Sequence, residues 1–154
     1  MNSLPIGVFD SGIGGLTVVN AIQKHLPNED LVYVGDTARV PYGSRSPGTV
    51  IDYATQIATY LEDTGVKEIL IACNTASAVA LEVVAAQTSL PVSGVIVPGA
   101  EAAVELNESG PIGVIATRAT ITSGAYQNAI QQIQPGAEVI SVATPLLVPL
   151  IEED

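Results

Sequence analysis

Cys73 is the residue of this chain whose type and position most favour chemistry. It follows the apolar segment 67–72 and precedes Asn74, Thr75 and an alanine-rich segment of helical character. A thiolate is both a nucleophile and a proton acceptor, and the start of a helix favours the thiolate over the thiol. An isolated buried cysteine more often acts as a small hydrophobe, but the polar neighbours in an otherwise apolar region favour a reactive group. We therefore predict a thiolate at this position.

Polar side chains follow other strand-like segments in the same way. Asp10 and Ser11 open a glycine-rich turn, Asp36 and Thr37 follow the second apolar segment, and Thr117 follows a later one. Ligands of parallel sheets bind beyond the carboxyl ends of the strands, so these turns are predicted to converge on one site. Each turn alone also has a structural explanation, because Asp, Ser, Thr and Asn are the preferred helix N-caps.

The glycine-rich turn does not match the common phosphate-binding motifs. A dinucleotide fingerprint that begins at Gly12 requires glycine at its sixth place, where Thr17 stands, and no lysine follows Gly15 as a P-loop requires. The turn can bring backbone close to a ligand, or it can serve close packing of a helix on the sheet. A nucleotide-binding domain is thus a weak alternative.

Metal and cofactor chemistry is not indicated. Cys73 and the single histidine, His25, do not have the spacing of a zinc site. Lys24 and Lys67 are the two lysines, and neither lies at the carboxyl end of a predicted strand, so pyridoxal phosphate has no candidate attachment point. We predict no metal and no cofactor.

The elements that must position these residues follow from the hydrophobic pattern. Short apolar segments alternate with longer segments of helical periodicity, which predicts an α/β fold of parallel βαβ units with helices on both faces of the sheet. The predicted strands are 4–9, 31–34, 67–72, 91–95, 111–116 and 137–142. The predicted helices are 16–26, 49–62, 76–86, 98–107 and 119–133.

Composition narrows the class of protein further. The 154 residues are 47% hydrophobic and carry a formal net charge of -11, which argues against disorder, nucleic-acid binding and an anionic membrane surface. The single cysteine indicates a reducing compartment. We find no n-region of a signal peptide and no apolar run long enough for a membrane span. The expectation is a cytoplasmic protein.

Four segments in order carry a family resemblance: VFDSGIGGL at 8–16, GDTARVPYG at 35–43, ACNTAS at 72–77, and residues 113–120. Together they resemble the bacterial glutamate racemases of the cofactor-independent aspartate/glutamate racemase family. The resemblance implies two pseudo-symmetric lobes, here residues 1–97 without their C-terminal return and residues 98–154 as the opening half of the second lobe. It also implies interconversion of L- and D-glutamate for peptidoglycan, and a homodimer in the complete enzyme.

The resemblance also assigns roles to residues of this chain. Two cysteines exchange the α-proton in the family, because inversion needs a base on one face and an acid on the other. The catalytic residues implied are Cys73, Asp10 and Glu152. The substrate-binding residues implied are Ser11, Pro41, Tyr42, Gly43, Asn74, Thr75, Thr117 and Thr120. The competing structural readings are caps at Thr117 and Thr120, packing at Tyr42 and a solvated tail at Glu152.

The sequence departs from the family in its later part. The family carries a second segment Cys-Thr-His that is absent here, His25 does not match its histidine, and Ala116 replaces a usual glycine. We therefore expect an N-terminal portion with little racemase activity alone, and uncovered apolar surface that promotes self-association. The alternatives are a racemase for aspartate or another amino acid, and a non-catalytic module that binds small anions.

Overall fold

A computed structural model describes residues 4–153, with side chains to residue 151. The strands are β1 (Ile6–Asp10), β2 (Leu31–Gly35), β3 (Glu68–Ile71), β4 (Val92–Gly94), β5 (Ile112–Ala116) and β6 (Val139–Ala143). The helices are α1 (Leu16–His25), α2 (Pro47–Thr64), α3 (Asn74–Gln87), α4 (Ile96–Leu106), α5 (Arg118–Ser123), α6 (Ala125–Ile133) and α7 (Leu147–Glu153). The predicted alternation of strands and helices is confirmed.

The first sheet has the order β2-β1-β3-β4, and all its strands are parallel. The central strand β1 is buried along its whole length. Ile6 and Val8 pack with partly buried residues of α1, whereas Phe9 joins a core built with α2 and α3 on the opposite face. Helices therefore cover both faces, which explains why the strand sequence is a continuous apolar run.

Helix α2 shows how local sequence sets the ends of an element. The Ser46 side chain accepts a hydrogen bond from the Thr49 backbone N–H, and Pro47 occupies the first turn, where its missing N–H costs nothing. Gly65 ends the helix in the left-handed conformation with φ 86°. The helix thus begins two residues before the predicted start, because the cap lies upstream of the apolar periodicity.

The second sheet joins β5 and β6 in parallel. Its inner face packs on α4 and α6, where Ile112 and Ile130 are buried. Its outer face presents Ile115, Ile140 and Val142, which are 67%, 50% and 50% exposed. The apolar surface expected from the sequence is therefore present, and self-association through it stays a prediction.

The predicted helix 119–133 and the predicted start of α4 were wrong, and α7 was not predicted. The predicted helix 119–133 is two helices, because Gly124 adopts a left-handed φ of 68° between α5 and α6. Helix α7 was not predicted, although Pro149 lies in its first turn, where proline is tolerated. A helix was also assigned too late at α4, which begins at Ile96. Helical periodicity alone does not reveal such a break or such starts.

The division of the chain into lobes at residues 97 and 98 stays a prediction. Ile96 and Ala100 of α4 pack in the core that contains β5, whereas β4 belongs to the first sheet. Among the described residues, no helix combines the length and the apolar character that crossing a bilayer requires.

Candidate active site

Cys73 lies between the end of β3 and the start of α3. It is the N-cap residue of α3, and its Sγ accepts a hydrogen bond from the Ala76 backbone N–H at 3.5 Å. The thiol donates to the Ser11 Oγ at 3.4 Å. Strand β3 pairs with β1 in parallel, so the turns that follow the two strands meet at one edge of the sheet. The predicted convergence of the turns at Cys73 and Ser11 is confirmed.

The acidity of the Cys73 thiol differs from the sequence-based expectation. Its side chain is 6% exposed, and burial raises the pKa above the ordinary value for cysteine. The negative charge of Asp10 raises the pKa further, whereas hydrogen bonds with Ser11 and with the backbone N–H groups of Ala76 and Ser11 lower it. The stabilising effect of the helix start is thus outweighed by desolvation. These effects together favour the thiol over the thiolate.

Asp10 is buried at the end of β1 and holds the glycine-rich turn. Its Oδ2 accepts hydrogen bonds from the backbone N–H groups of Gly12 at 3.1 Å and Gly15 at 3.0 Å. A Cβ on Gly15 would lie 2.6 Å from the Asp10 Cβ, so glycine is required there by packing. The Tyr33 hydroxyl donates to the Gly12 carbonyl at 3.0 Å. These hydrogen bonds fix the conformation of the turn. The Asp10 carboxylate is also close enough to the Cys73 thiol to influence its pKa.

The segment that contains Pro41, Tyr42 and Gly43 is held in place by buried contacts of the Tyr42 side chain. The Tyr42 ring is 1% exposed, and its hydroxyl donates to the buried carboxylate of Asp36. Burial raises the pKa of Tyr42, and the bond to Asp36 raises it further. Arg39 contacts the same carboxylate, with its Nε 2.6 Å from Oδ2. The Tyr42 side chain is therefore part of the hydrophobic core, which agrees with the packing interpretation of this residue.

Gly43 contacts Thr117, the residue that follows β5 of the second sheet. A Cβ at Gly43 would lie 2.5 Å from the Thr117 Cγ2, so the Thr117 side chain packs directly on the Gly43 backbone and leaves no room for a side chain there. Pro41, Gly43 and Thr117 line a common cavity of about 440 Å³. The predicted substrate-binding residues Gly43 and Thr117 therefore lie against each other.

Three threonine hydroxyls form a cluster between the two sheets. The Thr75 Oγ1 lies 2.9 Å from the Thr117 Oγ1 and 3.4 Å from the Thr120 Oγ1, and the latter two are 3.0 Å apart. Thr117 also caps α5 by accepting a hydrogen bond from the Thr120 backbone N–H. The capping reading of Thr117 is therefore correct, and it does not exclude a ligand role.

Asn74 lies at the exposed rim of the site. Its Oδ1 accepts a hydrogen bond from the Tyr126 hydroxyl at 2.6 Å, which directs the amide N–H groups away from that contact. Burial raises the pKa of Tyr126, so it stays a neutral donor. Asn74, Thr117, Thr120 and Tyr126 line a second cavity of about 430 Å³ beside β5. Cys73 is not among the lining residues of this cavity or of the one next to Gly43.

The catalytic role predicted for Glu152 stays a prediction. Its backbone lies in α7, and its side chain lies outside the described part of the chain. Sequence reasoning did not single out Tyr126 or Tyr33, which contact Asn74 and the glycine-rich turn. Their residue type could have indicated these contacts, because a partly buried tyrosine usually directs its hydroxyl to a hydrogen-bond partner. Among residues 4–151, no group of three or more His, Cys, Asp and Glu side chains is arranged to hold a metal ion.

The parallel sheets, the thiol beside a carboxylate and the cluster of hydroxyls define a class of protein. The chain belongs to the Asp/Glu/hydantoin racemase family, whose model matches residues 12–153. The family resemblance seen in the motifs is confirmed.

Among particular proteins, the chain is similar to glutamate racemases. It is 55% identical to the glutamate racemase of Geobacter metallireducens over 148 residues, which are 96% of this chain and 55% of that protein. It is 53% identical to the glutamate racemase of Aquifex aeolicus, over 97% of this chain and 58% of that one. The crystal structure of Francisella tularensis glutamate racemase in complex with D-glutamate matches with a TM-score of 0.91 and 48% identity, covering 99% of this chain and 57% of that chain. This chain thus spans about half the length of the curated relatives it matches.

Proposed function

We propose that this chain forms one half of a glutamate racemase and that Cys73 exchanges the proton at Cα of glutamate. The observation that carries the proposal is the Cys73 thiol, 3.4 Å from the Ser11 Oγ at the shared edge of β1 and β3. The similarity to glutamate racemases over nearly the whole chain supports glutamate as the substrate. The role of the product in peptidoglycan follows only from the family.

The proton transfer requires the thiolate as base. The Cα–H bond of glutamate breaks, its proton forms the S–H bond of Cys73, and the electron pair stays on the substrate as a carbanion. An acid on the opposite face then completes the inversion. Burial raises the pKa of Cys73, so the thiolate becomes abundant only at a higher pH than it does for an ordinary cysteine. Ser11 and the Ala76 N–H are the groups placed to stabilise the thiolate.

Neutral donors hold the substrate in this proposal. The hydroxyls of Thr75, Thr117 and Thr120 and the amide of Asn74 supply hydrogen bonds to the carboxylates without a buried cation. Preorganised neutral donors stabilise charge that develops in the transition state. A strong ion pair with the ground state would lower KM without accelerating the proton transfer.

We propose different roles for Asp10 and Glu152. Asp10 raises the pKa of the thiol and makes it a stronger base, while its Oδ2 holds the glycine-rich turn. We retain Glu152 as a support of the other face of the substrate on the resemblance alone. The sequence contains a single cysteine, Cys73, so we propose that the 154 residues by themselves exchange the proton without efficient inversion.

The test is incorporation of solvent deuterium at Cα, followed by NMR for D- and L-glutamate and for both enantiomers of aspartate. We expect wild-type protein to exchange one enantiomer of glutamate and Cys73→Ser to exchange none. Equal exchange in the variant would show that the thiol is not the base. Binding measured by calorimetry with no exchange in either protein favours the alternative, a non-catalytic module for small anions. Faster exchange of aspartate favours the aspartate alternative.

A further inference from the structure

Two arginine side chains that form no ion pair with a described residue line the cavity next to Gly43. The cavity has a volume of about 440 Å³ and is bounded by the loop around Gly43, the start of α5 and the start of α7. Arg45 from the loop and Arg118 from α5 both line it. Much of the remaining wall is apolar, with Pro47, Val148 and Pro149.

Among the Lys and Arg side chains, Arg45, Arg118 and Lys24 of α1 form no ion pair with a described residue. The sequence has five Lys and Arg against sixteen Asp and Glu. Arg39 is paired with Asp36 and Lys67 with Glu29. Arg45 and Arg118 form no ion pair with any described residue, although acidic residues outnumber them greatly. Two unpaired guanidinium groups therefore share one cavity in a protein whose overall charge repels anions.

The positive charge of Arg45 and Arg118 indicates that the cavity binds an anion. A cavity lined by one sign of charge with low-dielectric walls raises the local concentration of the opposite ion. The proline and valine side chains supply such walls, and arginine binds carboxylate and phosphate through its planar set of donors. A small anion in this cavity would balance charge that the protein itself leaves unpaired.

The cavity is also connected to the proposed active site. Thr117 lines it, and its hydroxyl lies 2.9 Å from that of Thr75, two residues from Cys73. Thr117 also lines the second cavity, beside Asn74. An acidic amino acid held by the arginines would thus lie one side chain away from the hydroxyl cluster.

We infer that Arg45 and Arg118 form an outer anion-binding site that takes a carboxylate of the acidic amino-acid substrate before it reaches the hydroxyl cluster. The binding chemistry is shared with phosphate, and the experiment distinguishes the two. The choice of a carboxylate ligand rests on the proposed function, whereas the existence of an anion site does not.

The test is titration of the isotope-labelled chain with glutamate, succinate and inorganic phosphate, observed at the Nε–H resonances of the arginines. We expect saturable shifts at Arg45 and Arg118 with glutamate and succinate, and none at Arg39, which is already paired. The double variant Arg45→Gln/Arg118→Gln should bind succinate about tenfold more weakly. Lys24→Gln, which removes an exposed cation of α1, is the control for net charge and should bind as wild type does.

The outcomes separate this inference from the proposed function. Saturable shifts without deuterium exchange keep the anion site and refute the proposed proton exchange by Cys73 in this chain. Exchange with no saturable shift, or with equal succinate binding by wild type and the double variant, refutes the anion site and leaves the racemase standing. Saturation by phosphate alone refutes the assignment of a carboxylate ligand. Equal weakening in Lys24→Gln shows a general charge effect and overturns the inference.

Discussion

The hydroxyl oxygen of Thr75 lies 2.9 Å from that of Thr117, across the boundary between the two sheets. Thr75 belongs to the start of α3, which follows the first sheet, and Thr117 caps α5, which follows β5. Thr117 also faces Gly43 at a separation that excludes a side chain. One pair of threonines therefore links the thiol region, the loop and the second sheet.

The Thr75–Thr117 contact predicts a paired result for two substitutions. Thr75→Val keeps the volume but removes the hydroxyl from a buried cluster, which we expect to destabilise the protein by about 1–3 kcal/mol. Thr75→Ser retains the hydroxyl and should bind glutamate as wild type does. Chemical denaturation measures the first effect and calorimetry the second. Equal glutamate affinity in Thr75→Val would remove the cluster from the proposed binding site.

The thiol titration provides a test of the pKa directions. The single cysteine can be followed by thiolate absorbance, with Cys73→Ser as the blank. We expect a wild-type pKa above the ordinary value, because burial and Asp10 both disfavour the thiolate. Asp10→Asn should lower the pKa by removing the negative charge, and Ser11→Ala should raise it by removing a stabilising hydrogen bond. A pKa below the ordinary value in wild type would contradict the burial seen here.

Gly43→Ala tests the close approach of the loop to Thr117. The added Cβ would lie 2.5 Å from the Thr117 Cγ2, so we expect a loss of stability of about 1–3 kcal/mol from overpacking. Gly48→Ala in α2 is the matched control, because a Cβ there meets nothing within 4 Å. It should be neutral or stabilising, since alanine favours a helix over glycine. Equal melting temperatures for the two variants would contradict the packing.

Tyr126→Phe tests the anchor of the Asn74 amide. Without the phenol hydroxyl, the amide can turn over and direct its oxygen toward a substrate carboxylate. We expect glutamate to bind about threefold to tenfold more weakly, the size of one neutral hydrogen bond. Tyr60→Phe is the control, because the Tyr60 side chain is 59% exposed. Unchanged affinity in Tyr126→Phe, with the same stability as wild type, would exclude a positioning role.

Much of the architecture was predictable because it depends on local pattern. Continuous apolar runs predicted β1 and β3, and both strands lie in the sheet interior. The break at Gly124 was not predictable from periodicity, because the apolar spacing continues through it and the left-handed φ becomes visible only in the fold. Helix α7 was also not predicted from the sequence.

The sequence by itself determined the parallel α/β organisation and the position of Cys73 between a strand and a helix. Both follow from side-chain type and spacing along a short stretch of chain, where backbone geometry sets the outcome. Only the tertiary structure decided that burial and Asp10 raise the pKa of the thiol, and that Arg45 and Arg118 share a cavity. Desolvation and charge depend on which distant segments pack together, and that information is not local to any motif.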